Sequence, residues 1–234
     1  MSDRPVSEAG VVGPGPLVPL DEAYVAHAEV LREVAVCAWD AVPLARGAGR
    51  GPGHDLEAAL RLADLAARLV ECAVVVALEG GASWADVAVL AGVGEDEARG
   101  RWAGPVRDWV GAGRRRPPGR VDSVTVAGDV DAWYRGVEPG VEGVVTAGLV
   151  SAGPSGEAAR EEADRGRAEA AALWRTSPGG SLESGVAWAS GLRTQAEHLE
   201  RLAVLEPPLA DEHVAQAREL RELAALVEPM PGPF

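Results

Sequence analysis

Residues 83–102, SWADVAVLAGVGEDEARGRW, constrain the fold more tightly than any other stretch of this chain. Ser83 stands where a helix needs a cap, and Asp86 follows at the spacing of a capping box, in which each side chain takes the other's free backbone N–H. Ala88 is small where two helices must cross closely, and Gly92 comes four residues later, where the chain has to turn with φ > 0. Val93 fills the corner beneath that turn, and Ala98 and Trp102 return at helical spacing to the core side. The pattern predicts two short helices joined by a tight turn, built by Ser83, Trp84, Ala88, Gly92, Val93, Ala98 and Trp102. Trp84 and Trp102 are the expected anchors that pin the pair to a supporting helix.

Apolar periodicity elsewhere is helical, so the chain reads as all-α. A helix is expected from Asp21 to about Asp40. A second, capped by Asp55, carries Leu56, Ala59, Leu60, Ala63, Ala66, Ala67, Val70, Ala73, Val74 and Ala77 as a core-facing stripe, ended by Gly80-Gly81. Pro105–Val110 adds one further turn, and GAGRRRPPGR then breaks regular structure. VDSVTVA at 121–127 alone has a strand-like composition and reads as loop or a short extended piece. Helices are expected near 129–136, 141–150 and 157–174, with a turn at Ser177–Gly180. Leu182, Val186, Ala189, Leu192, Ala196, Leu199, Leu202 and Leu205 form a narrow seam stopped by Pro207-Pro208, and a last helix spans about 211–228. The implied organisation is a mobile tail at 1–19, a helical domain at 20–112, a linker at 113–128, a C-terminal helical hairpin or small bundle at 129–229 and a tail at 230–234. The seam within 182–227 is the expected homodimer surface.

The corner segment resembles the helix-turn-helix units of actinobacterial regulators and sigma-factor-like DNA-binding regions. The resemblance rests on Gly81-Ala82-Ser83-Trp84-Ala85-Asp86-Val87-Ala88 and Gly92-Val93, and reaches over residues 60–104 with the preceding helix. It implies that the second helix of the pair enters the major groove of DNA. The second helix departs from the usual pattern by offering Glu95, Asp96 and Glu97 where Ser/Thr, Arg or Gln commonly stand. Acids in a first turn also suit the helix dipole.

Charge sharpens the question. The chain has no lysine, and its 22 basic residues face 36 acids, for a net charge of −14. Such a molecule repels nucleic acid as a whole. Yet Arg99, Arg101, Arg107, Arg114, Arg115, Arg116 and Arg120 cluster against a single acid, Asp108. These seven are the candidate DNA-binding residues: Arg99 and Arg101 on phosphate or bases, Arg114–Arg116 and Arg120 as an extended arm on the backbone. Two functions follow. One is a DNA-binding transcription regulator. The other is a non-enzymatic adaptor whose acidic corner contacts a protein such as polymerase, a sigma factor or another regulator.

Other chemistry finds little support in the sequence. Cys37 and Cys72 lie in apolar helical patterns and read as free buried thiols. His27, His54, His198 and His213 are scattered without paired spacing, so no metal site is expected; His198 and His213 can approach across the C-terminal hairpin, with surface positions the default. The glycine-rich RGAGRGPGH at 46–54 lacks a phosphate-loop lysine and follows no strand. No catalytic residue and no cofactor is called for, and an enzyme is not expected. With one Phe and two Tyr in the chain, its seven tryptophans are the expected large core fillers. No secretory leader and no membrane-length apolar run are present, so the expected location is the cytoplasm.

Overall fold

The computed structural model describes residues 17–42, 53–116, 121–140, 143–152, 156–176 and 185–227. Among them are eight α-helices and no strand: α1 (Pro19–Ala41), α2 (His54–Glu79), α3 (Trp84–Ala91), α4 (Glu95–Gly111), α5 (Ser123–Val137), α6 (Gly156–Thr176), α7 (Gly185–Leu205) and α8 (Ala210–Val227). Short 3₁₀ turns lie at Thr146–Gly148, Val150–Ala152 and Pro207–Leu209. The protein is all-α. No helix of the described residues is long and apolar enough to cross a membrane. The chain divides into two compact units that interleave in sequence. One takes the stretch up to Val76 and Arg114–Ala163; the other takes Ala77–Gly113 and the chain from Asp164 on.

In the first unit α1 packs against α5. Leu17, Val25 and Ala28 meet Val126, Ala127, Val130, Val145 and Leu149, with Tyr24 and Val124 at the edge. Each fully buried valine or leucine of such a core stabilises the fold by about 1.5–3 kcal/mol. α1 begins at Pro19, inside the stretch that the sequence assigns to a tail; proline suits the first helical position because its missing N–H would have no partner there.

Three buried carboxylates order the irregular chain around this core. Asp21 accepts from the backbone N–H of Val150 (2.8 Å) and Ser151 (2.7 Å). Glu22 accepts from Ser123 Oγ at 2.6 Å. Asp131 accepts from Val145 N (2.7 Å), Thr146 N (3.2 Å) and Thr146 Oγ1 (2.6 Å). The sequence predicts a helix at 141–150, and over the described residues 143–150 none forms. Asp131 and Asp21 claim backbone N–H groups that a helix would use internally, and the segment settles into two 3₁₀ turns.

VDSVTVA differs from expectation in the opposite sense. Asp122 caps α5 by accepting from Thr125 N (2.9 Å) and Thr125 Oγ1 (2.7 Å), so the helix starts at Ser123, within the stretch that reads as linker. Burial of Val126 and Val130 against α1 outweighs the modest helix cost of β-branched residues. α4 likewise runs unbroken through Pro105. The bond that proline forgoes is to the carbonyl of Arg101, an exposed residue, while the neighbouring Val106 is fully buried.

In the second unit α7 and α8 form an antiparallel hairpin joined by the Pro207–Leu209 turn. Ala196, Leu199 and Leu202 pack with Ala217 and with Ala170 and Leu173 of α6, and Ala189 and Leu192 pack with Ala224. The seam expected to join two copies is thus largely spent inside one chain; Leu182 and the turn at Ser177–Gly180 lie outside the described residues, and nothing is described of the Val186 side chain. His213, a surface residue by its sequence setting, is buried: its Nε2 lies 2.9 Å from Glu206 Oε2, and its ring tilts against Trp174. The tryptophans fill the core only in part: Trp102, Trp109, Trp133 and Trp188 are half-buried. Trp84 is buried, whereas Trp39 and Trp174 are exposed, and small aliphatic residues build the interior.

Replacing Asp131 by Ala leaves the N–H groups of Val145 and Thr146 without their acceptor in a buried setting. The variant should lose about 3 kcal/mol of unfolding free energy in a urea titration. A loss under about 0.5 kcal/mol, the range of an ordinary surface change, would show that the carboxylate does not organise this segment.

Candidate functional site

The corner expected at 83–102 forms in the second unit. Ser83 Oγ accepts from Asp86 N at 3.2 Å, and Asp86 Oδ2 accepts from Ser83 N at 2.9 Å, closing the capping box. Gly92 sits at φ 69°, ψ 31°, and its N–H and that of Val93 return to the last turn of α3. Trp84, Ala88 and Ala98 are buried, and Val93 and Trp102 are half-buried. Trp109 on the same α4 donates to Glu79 Oε1 at 2.7 Å.

The arginines are a different matter. Arg99 lies over the Trp84 ring at 5.5 Å, reaches Glu95 at 2.9 Å, and crosses to Asp211 at 2.7 Å. Partial burial lowers the proton affinity of its guanidinium, but the hydrogen bonds to Asp211 and Glu95 outweigh that and hold it above its ordinary value. Arg101 is held by Glu97 one turn back. Arg107 faces Glu212 at 3.7 Å. Asp211 and Glu212 open α8, so the first turn of that helix supplies carboxylates to Arg99 and Arg107, beside the Glu95 and Glu97 of α4 itself.

Arg114, Arg115 and Arg116 belong to the other unit. Arg116 is nearly buried and pairs with Glu29 at 2.7 Å. Arg114 takes a left-handed backbone, φ 55°, and is half-buried. Arg115 is exposed. Arg120 lies outside the described residues. The described candidates are therefore distributed over both units, and Arg99, Arg101, Arg107 and Arg116 are held in ion pairs by carboxylates of their own unit.

The outward surface of the corner is acidic and apolar. Asp86, Glu95, Asp96 and Glu97 are the charged residues between Trp84 and Ala98, with no basic residue among them. The solvent-facing side of α4 continues with Gly100, Arg101, Arg107 and Asp108. Beside this surface Val89 and Leu90, at the end of α3, are 81% and 83% exposed. The sequence reading missed this pair, although helical spacing marks it: Trp84, Val87 and Ala88 take the buried face, which turns positions 89 and 90 to solvent.

A groove of about 510 Å³ lies between α1 and α2, lined by Arg32, Cys37, Asp40, His54, Glu57 and Arg61 among others. Both cysteines are free, and burial pushes the Cys72 thiol up, away from the reactive thiolate. Among the described residues no group of three or more His, Cys, Asp or Glu is placed to hold a metal ion. Comparison with protein-family models, with curated proteins and with solved structures gives no match.

Two outcomes test the corner. Gly92→Ala forces a side chain into the left-handed region and should cost about 1 kcal/mol in thermal unfolding, with no clash to relieve since the surrounding space is open. The Asp86 carboxyl is held below the ordinary carboxylate range, first by the Ser83 hydroxyl and then by the Ser83 backbone N–H. A depressed folded value adds stability above the unfolded value that is lost as pH falls through the folded one. Asp86→Ala should therefore be less stable than wild type at neutral pH, and the gap should close on acidification below the carboxylate range; a gap independent of pH counts against the cap.

Proposed function

We propose that this chain is a non-enzymatic interaction protein of the cytoplasm that presents the α3–α4 corner to another protein. The observation that carries the reading is the exposed Val89–Leu90 pair set beside Glu95, Asp96 and Glu97, with no basic residue between Trp84 and Ala98. Apolar side chains rimmed by charge of one sign fit a partner segment that alternates apolar residues with arginine or lysine. Polymerase, a sigma factor or a regulator with such a segment is the class of partner that this chemistry favours.

The regulator reading, in which α4 docks on DNA, is supported by the capping box and the Gly92 turn alone. Its phosphate contacts would have to be taken from Asp211, Glu97 and Glu212, which already hold Arg99, Arg101 and Arg107. They would also have to overcome a net charge of −14.

Anisotropy titrations separate the two. Low-salt buffer, a labelled amphipathic Arg/Leu peptide and a labelled random-sequence duplex suffice. The peptide should bind, weaken at least about tenfold when Glu95, Asp96 and Glu97 are all reversed to Arg, and weaken likewise in Val89→Asp/Leu90→Asp. The duplex should not bind. Duplex binding that falls with salt and with reversal of Arg114–Arg116 overturns the adaptor reading in favour of DNA.

A further inference from the structure

α2 carries two apolar faces, and among the described residues one of them is covered. Ala58, Leu62, Leu65, Leu69 and Cys72 form the inner face and are buried or half-buried. On the opposite side Leu56, Leu60 and Val70 are 65%, 59% and 45% exposed, and the exposed alanines at 59, 63, 66, 67 and 73 continue between them. The stripe recurs at three- and four-residue steps from 56 to 73, which is about 27 Å of helix. This is the stripe that periodicity assigns to the core. A shallow groove of about 410 Å³ follows its first half, lined by Leu56, Glu57, Leu60, Arg61 and Asp64.

The two flanks of the stripe differ. One is charged in strict alternation: Glu57, Arg61, Asp64, Arg68, Glu71. The other carries Ala59, Ala66 and Ala73, with Asp55 as its one charge at the start of the helix. That asymmetry selects an occupant. A second α2 laid parallel sets the charged flank of each copy against the alanine flank of the other, where beyond Asp55 at the helix start no charge stands opposite. A second α2 laid antiparallel brings the charged flanks face to face in reverse order. In the register that places Arg61 of one copy opposite Asp64 of the other, Arg68 falls opposite Glu57. Arg68 already pairs with Glu33 in an exposed bridge, which leaves it near the flank and able to exchange partners. The alanines let two helix backbones approach closely, and the leucines and valine fill the seam between them.

We propose that α2 is the homodimer surface of this protein, pairing antiparallel with α2 of a second copy through Leu56, Leu60, Ala63, Ala67 and Val70. The interface is isologous, since one patch meets itself about a two-fold axis. It shares no residue with the α3–α4 corner, so variants on α2 leave the residues of the proposed peptide site unaltered.

Sedimentation velocity on the full chain tests this, with circular dichroism to confirm that each variant folds. Wild type should show twice the 24.2 kDa chain mass at micromolar concentration. Leu60→Glu places a carboxylate in the seam and should raise the dimer dissociation constant by about a hundredfold or more. Arg61→Glu alone should raise it about tenfold, and the double variant Arg61→Glu/Asp64→Arg should restore it, because the exchange keeps opposite signs facing in the antiparallel arrangement. A wild type that stays monomeric overturns the proposal. So does a dimer indifferent to Leu60→Glu, or a double variant no better than the single one.

Discussion

The interaction on which the functional reading turns is the capture of α4's arginines by the chain's own carboxylates. Arg99 bridges Glu95 and Asp211 while stacking on Trp84, and Arg107 faces Glu212. These bonds tie the corner to the first turn of α8, so the ions that a groove-binding helix would spend on phosphate serve instead to hold two elements of the unit together. Exposed pairs of this kind add little to stability singly. Their consequence is electrostatic: with those guanidinium groups neutralised, the outward side of the corner is left to acids such as Asp96 and Asp108.

The first unit applies the same economy to buried acids. Asp21, Glu22 and Asp131 are enclosed, and their lone pairs take N–H or hydroxyl donors from segments more than ten residues away. A buried carboxylate is tolerated only with such donors, and the donors in turn are held in place by it. This arrangement makes the irregular chain at 143–152 part of the fold without α-helix or strand.

Much of this was legible in the residues. The capping box, the glycine turn and the helices at α1, α3, α6 and α8 each follow from spacing within a few positions of the chain, where local rules apply. What the sequence concealed depended on distant partners. Nothing near Arg99 announces Asp211, 112 positions later. Nothing in VDSVTVA reveals that Val126 and Val130 will meet Val25 of α1. His213 reads as a surface residue until the Pro207–Leu209 turn folds Glu206 and Trp174 around it.

α2 shows where periodicity alone stops. A helix with apolar residues on two opposite sides gives the same count of matches whichever side the chain covers. Here the side with Leu65 faces inward and the side with Leu56, Leu60 and Val70 does not. Burying three such side chains on each of two copies yields a free energy on the order of the cost of association itself. Apolar area therefore brings two copies to the threshold of pairing without choosing how they lie. The alternation from Glu57 to Glu71 makes that choice: laid parallel, the charged flank meets alanines beyond Asp55 at the helix start, and laid antiparallel it meets a copy of itself in which arginine can stand against carboxylate along its length.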